Sequence, residues 1–185
     1  ILTNQSVLAG LLVVHASGSQ MLAISEQVPY ADDGALPVAI DQVLLELGDP
    51  AADVNEVVFC LEQNWFSETG GLVPEKQALL KKVKEDLSLQ PVGYVLQHET
   101  ITEYLINQQR QLSGVLLFLS GQSVTATLVT HGLVDATVIV GRSGEIQSDV
   151  VEALSRVAQQ SGKTEMPGKI LCSTIALEVA ELFEL

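Results

Sequence analysis

Gly114-Val115-Leu116-Leu117-Phe118-Leu119-Ser120-Gly121-Gln122-Ser123-Val124-Thr125-Ala126-Thr127 reads as an apolar strand, a short polar break and a second β-rich run. The pattern continues to Thr130 and is followed by a third run, Leu133 to Val140. Gly121, Gly132 and Gly141 punctuate the three, which predicts a meander of consecutive strands. A helix is predicted from Glu145 to about Gln160, with Ile146, Val150, Leu154 and Val157 as its inward stripe. Lys169 to Cys172 then reads as a strand and Thr174 to Phe183 as a helix.

The same order of elements precedes this stretch. Residues 7–15 and 20–28 are two β-rich runs separated by Ser17-Gly18-Ser19, a hairpin signal. Asp32-Asp33-Gly34 offers a helix start, Val38, Ile40, Val43, Leu44 and Leu47 a helical stripe, and Gly48 a stop. Asp53 to Leu61 reads as a buried strand. After Gly70-Gly71, Pro74 opens a helix whose core stripe is Leu79, Leu80, Val83 and Leu87. Pro91 to Leu96 is a further strand, and Glu99 to Gln109 a helix with Ile101, Tyr104 and Leu105 inward. Two successive halves therefore emerge, residues 1–112 and 113–185, each headed by a hairpin, with the second one shorter and incomplete. Repetition of element order with little residue identity indicates an old duplication. Strands alternating with helices imply parallel pairing under helical layers, and the hairpins make the sheets mixed.

Composition narrows the function classes. Of the 185 residues 47% are apolar and only 4% aromatic, so the core is aliphatic and the composition argues against disorder. The formal net charge of −14 argues against nucleic acid and against an electrostatic grip on anionic lipid. Cys60 and Cys172 lie in apolar runs and read as buried free thiols in a reducing cytoplasm. Val7 to Ala16 is too short to span a bilayer. The chain opens at Ile1 and stops within an apolar pattern at Leu185, which leaves an anchor outside this sequence open.

This organisation resembles the actin-like ATPases, the superfamily of actin, the Hsp70 chaperones and sugar kinases. The local likeness is best from Leu96 to Arg156. Leu96-Gln97-His98-Glu99-Thr100-Ile101-Thr102-Glu103-Tyr104-Leu105 is similar to the family's connecting segment. Gly114 to Thr127 falls where its second phosphate loop belongs. Val138-Ile139-Val140-Gly141-Arg142-Ser143, followed by Val150-Val151-Glu152-Ala153-Leu154, resembles the branch that holds the cell-division protein FtsA and the pilus protein PilM.

The resemblance implies two α/β halves of the ribonuclease H-like kind, with ATP and Mg²⁺ as ligands of the parent site. In such loops glycines let backbone N–H groups approach phosphate, and an Asp holds the metal through water. The residues here differ. Leu119 stands where the first Asp belongs, Gln122-Ser123 replaces Gly-Gly, Val124 replaces Thr, and Ala126 replaces the closing Asp. No acid occurs in Val13-Val14-His15-Ala16-Ser17-Gly18-Ser19. Losing that charge stabilisation costs orders of magnitude in rate.

Individual residues then carry alternatives. Glu99 aligns with a family acid that supports catalysis, or is a carboxylate favoured at a helix N-terminus. Ser17, Gly18, Ser19, Gly121, Gln122 and Ser123 either cradle phosphate through their N–H groups or are ordinary turns. Lys76, Lys81, Lys82 and Lys84 read as a solvated helix face. Trp65 and Phe66 are either a lid over the core or an anchor for a partner. His15, His98 and His131 are too scattered for a metal site.

Two functions follow. One is a degenerate actin-like scaffold that recruits protein partners of a membrane-associated assembly, self-association included. The other is an ATP-binding ATPase or switch with an atypical nucleotide site. A further alternative, for the fold itself, is an unrelated α/β domain whose alternation mimics the duplication.

Overall fold

The computed structural model describes residues 1–16, 18–67, 70–163 and 165–173, so the expected helix from Thr174 to Phe183 lies outside the described residues. The chain divides into two units, Ile1–Gln97 and His98–Leu185. No helix among the described residues is long and apolar enough to cross a membrane.

In the first unit, strands β1 (Ser6–Val7) and β4 (Val28–Pro29) pair antiparallel. Strands β2 (Gly10–His15) and β3 (Gly18–Ile24) form a hairpin of their own, while β5 (Glu56–Leu61) and β6 (Gln90–Leu96) pair parallel. Leu2 bridges to both Leu61 and Val7, which ties the N-terminal segment to β5. Helices α1 (Leu36–Glu46) and α2 (Pro74–Asp86) complete the unit. Both start on a proline in their first turn, where its missing N–H costs nothing. Leu2, Val7, Leu36, Ile40, Val43, Phe59, Leu61, Trp65 and Val83 pack into one core.

Two expected faces differ here. On α1 the inward stripe is Leu36, Ala39, Ile40, Val43 and Leu47, whereas Val38 is 71% exposed. Strand β5 is buried on one face only, so Phe59 and Leu61 point in while Val58 is 53% exposed.

In the second unit β7 (Gly114–Leu119), β8 (Ser123–Thr130) and β9 (Leu133–Gly141) form the expected antiparallel meander. Strand β10 (Ile170–Ser173) adds parallel to β7, giving the order β10-β7-β8-β9. Helix α4 (Ile146–Ser161) covers one face, where Val115, Leu117, Leu119, Val124, Ala126 and Leu128 meet Ala153 and Val157. Helix α3 (Gln97–Gln108) serves the other face, where Leu105 and Ile106 pack against Leu112, Leu116 and Val129. Alternate residues of β7 therefore feed two cores, which is why its sequence is continuously apolar.

Two further expectations are corrected in this unit. On α3 it is His98 and Thr102 that are buried, with Leu105 half-buried, while Tyr104 is exposed. Cys172 is exposed rather than buried, on a strand that pairs with β7 alone among the described residues. Cys60 is half-buried, and both thiols are free.

Candidate functional site

The polar break that opened the sequence reading is a turn built by one hydroxyl. The Ser120 N–H donates to the Ser123 carbonyl at 2.9 Å and closes the turn from β7 to β8. The Ser120 hydroxyl accepts the N–H groups of Gln122 at 3.4 Å and Ser123 at 3.1 Å, and lies 3.1 Å from the Ser123 hydroxyl. A serine or threonine oxygen that takes the N–H groups two and three residues on does the work of a bound acceptor.

The first unit contains the same turn. Thr3 N–H donates to the Ser6 carbonyl at 3.0 Å, and the Thr3 hydroxyl accepts the N–H groups of Gln5 at 3.3 Å and Ser6 at 3.0 Å. That hydroxyl lies 2.9 Å from the Ser6 hydroxyl. The two segments are Leu2-Thr3-Asn4-Gln5-Ser6-Val7 and Leu119-Ser120-Gly121-Gln122-Ser123-Val124, a hexamer with Leu, Gln, Ser and Val in common. The signal was present in the sequence as a repeat of six residues. Reading for glycine-rich hairpin tips passes over it, since Thr3 to Ser6 holds no glycine. The tip of the β2–β3 hairpin is a different place: Gly18 and Ser19 are exposed at the start of β3, and Ser17 lies outside the described residues.

The two turns have different surroundings. At the first, Glu62 is buried at 8% exposure, and its Oε2 accepts the Asn4 backbone N–H at 3.2 Å and the Asn4 side-chain amide at 3.0 Å. Gln27 Nε2 donates to the Ser6 hydroxyl at 2.6 Å, and the Tyr30 hydroxyl donates to the Thr3 carbonyl. At the second, the Arg142 guanidinium donates to the Ser120 carbonyl at 3.1 Å and the Arg142 N–H to the Gln122 carbonyl at 2.8 Å. Asp149, buried in the first turn of α4, accepts the Ser143 N–H at 2.8 Å and anchors the loop that carries Arg142.

Tyr30 gives the first turn a pH signature. Burial, reinforced by the charges of Asp33 and Glu62, pushes its phenol up to about 12. In an unfolded chain the phenol ionises near about 10. The folded form thus keeps a proton that the unfolded form has lost. Its contribution is complete below about pH 10 and disappears as pH rises through the folded value. Tyr30→Phe is expected to flatten the alkaline limb of a stability–pH curve; an unchanged limb would assign it to another group.

The remaining candidates separate. Glu99 is exposed in the first turn of α3. Its neighbour His98 is buried edge-on to Phe118 at 6.0 Å, and burial holds its imidazole below the usual value. Trp65 is fully buried in the first core, with Lys76 Nζ 4.9 Å above its ring, and Phe66 is half-buried with its ring 5.2 Å from that of Tyr94. Lys76 also pairs with Asp33 at 2.9 Å, whereas the exposed Lys81 reaches Glu85 of its own helix at 3.9 Å, and Lys82 and Lys84 are exposed too. Among the described residues no group of three or more His, Cys, Asp or Glu side chains could hold a metal ion.

The turn N–H groups at Gln5, Ser6, Gln122 and Ser123 serve hydroxyls of the turns themselves. Each turn opens with a neutral hydroxyl, which has no charge to hold a hydrated divalent cation.

No family model and no curated protein matches the sequence. Solved structures do match. A Bacteroides thetaiotaomicron protein with actin-like ATPase fold and unknown function superposes with a TM-score of 0.62 at 10% identity, over 99% of this chain and 83% of that one. An exopolyphosphatase from Cytophaga hutchinsonii gives 0.61 at 12% identity, over 92% of this chain and 64% of that one. The Aquifex aeolicus PPX-GPPA enzyme gives 0.54 at 10% identity, over 100% of this chain and 70% of that one. The chain therefore has the actin-like ATPase fold, and it spans only part of the length of these neighbours.

Proposed function

We propose that the chain is a catalytically degenerate actin-like domain that works by binding protein partners. In this reading it is a cytoplasmic scaffold or recruitment module of a membrane-associated assembly, of the cell-division or pilus type that FtsA and PilM serve. The carrying observation is the matched pair of turns in which a hydroxyl of the chain takes the N–H groups that a phosphate would need. A hydrolytic site of this fold needs charge to neutralise the transferred phosphoryl group, and neither Thr3 nor Ser120 supplies it.

The surface supports a partner-binding role. The β2–β3 hairpin exposes Leu12, Val14, Met21 and Ile24, and no Asp, Glu, Lys or Arg occurs before Glu26. With a net charge of −14 the molecule is repelled by nucleic acid and anionic lipid, which leaves apolar protein surface as the matching partner chemistry. Trp65 takes no part in this surface, since its side chain fills the core.

A second reading, an ATP-binding switch with an atypical site, draws on the retention of both turns at the head of the two units. Phosphate release separates the two. With Mg²⁺ and either ATP or polyphosphate as substrate, the scaffold reading predicts no release above the protein-free blank. Release that falls on substituting Ser120→Ala would replace it with the enzymatic reading.

A further inference from the structure

We propose that the Thr3–Ser6 turn is an oxyanion site whose resident ligand is the chain's own Glu62 carboxylate. This deepens the reading above and rests on it for the identity of the turn as a former phosphate loop.

The N–H groups of three consecutive residues of this turn end on oxygen. Gln5 and Ser6 reach the Thr3 hydroxyl, and Asn4 reaches Glu62 Oε2 at 3.2 Å. Successive backbone N–H groups of this kind form a concavity that attracts anions. Here the anion is a side chain from the end of β5. The Asn4 side-chain amide adds a second donor to the same oxygen at 3.0 Å, so one carboxylate oxygen is held by both arms of one residue. A carboxylate at 8% exposure is costly unless charge-assisted bonds compensate it, and these bonds are of that kind.

The consequence is exclusion. A phosphate oxygen entering the turn would meet the Glu62 charge at hydrogen-bond distance from the same N–H, and two anions do not share such a site. Beside the second turn lies Arg142, which donates to the Ser120 carbonyl. The two repeated turns have therefore diverged: the first holds a carboxylate of the chain on the Asn4 N–H, and in the second a hydroxyl takes the turn N–H groups beside the Arg142 guanidinium. The first unit is held as though liganded, with no nucleotide needed to order its turn.

Chemical rescue tests this. Glu62→Ala is compared with wild type and with Val43→Ala, a core truncation far from any anion role whose side chain is 1% exposed. Melting temperatures are measured in chloride, acetate and inorganic phosphate at matched ionic strength. Both variants are expected to melt below wild type. Acetate and phosphate are expected to restore a large part of the loss in Glu62→Ala only, because a ligand bound by the folded state alone raises its stability. Equal gains in both variants would reflect general salt exclusion and overturn the proposal. If Glu62→Ala fails to fold, Glu62→Gln keeps an acceptor for Asn4 without the charge. That variant is then expected to melt below wild type; a melting temperature equal to wild type also overturns the proposal, since a neutral acceptor would then serve Asn4 as well. ATP hydrolysis by the wild type would sink the scaffold reading while leaving the rescue result intact, so the two failures are distinguishable.

Discussion

Replacing Trp65 by Ala is expected to destabilise the first unit by about 4 kcal/mol, the range for emptying a large buried aromatic site. Trp65 is fully buried among Leu2, Leu36, Leu61 and Val83, and it also supports the Lys76 ammonium that pairs with Asp33. Its indole Nε1 has no hydrogen-bond partner among the described residues. Trp65→Phe should therefore cost much less than Trp65→Ala, since it removes an unpaired polar group along with some volume. Equilibrium unfolding followed separately for the two units would check this. An unchanged first transition in Trp65→Ala, with loss of a bound partner instead, would return Trp65 to the surface role that its position beside Phe66 suggested.

Gly132→Ala is the second large effect, at about 3 kcal/mol or more. His131 and Gly132 link Thr130 to Leu133 across the β8–β9 hairpin, with φ of 50° and 77°. Two consecutive left-handed residues are what a tight two-residue hairpin turn requires, and glycine adopts that conformation without strain. Space is the stronger constraint. A Cβ on Gly132 would sit 2.2 Å from the Arg110 carbonyl oxygen, and the Gly132 N–H donates to the Leu112 carbonyl at 2.8 Å. The substitution would have to push the segment from Arg110 to Leu112 away from the hairpin, opening the contacts of Leu112 with Leu116 and Val129. A melting temperature within a degree or so of wild type would show that this backbone approach is looser than described.

What could be read from the sequence was what local chemistry dictates. The β7–β9 meander was legible because its apolar runs are bounded by turn residues, and Gly132 marks a turn that needs positive φ. Helix existence was legible for the same reason, through Pro74 and the stripe of α2. Helix orientation was less so. On α3 the packed side chains include His98 and Thr102, so hydropathy chose Tyr104 for the interior although it is 61% exposed. The fold class followed from element order, and its neighbours among solved structures bear it out at 10–12% identity.

The candidate site was half legible. Gly121, Gln122 and Ser123 were in view because a glycine marked the turn, but the residue that builds it is Ser120. Its counterpart Thr3 was missed because the first turn lies ahead of the hairpin and carries no glycine. The Glu62 contact spans 58 residues of sequence, and no local pattern can announce it. Spacing finds turns; only tertiary packing decides what sits on them.

The most direct test of the account is the melting temperature of the wild-type protein with and without saturating Mg-ATP. A ligand that binds only the folded state at a hundred times its dissociation constant adds about 2.7 kcal/mol of stability, which such a measurement resolves easily. Because the turn N–H groups serve Thr3, Ser120 and Glu62, the account predicts no shift beyond that of magnesium chloride at the same ionic strength. A clear, saturable rise with Mg-ATP would contradict it and restore the chain to the nucleotide-binding members of its fold.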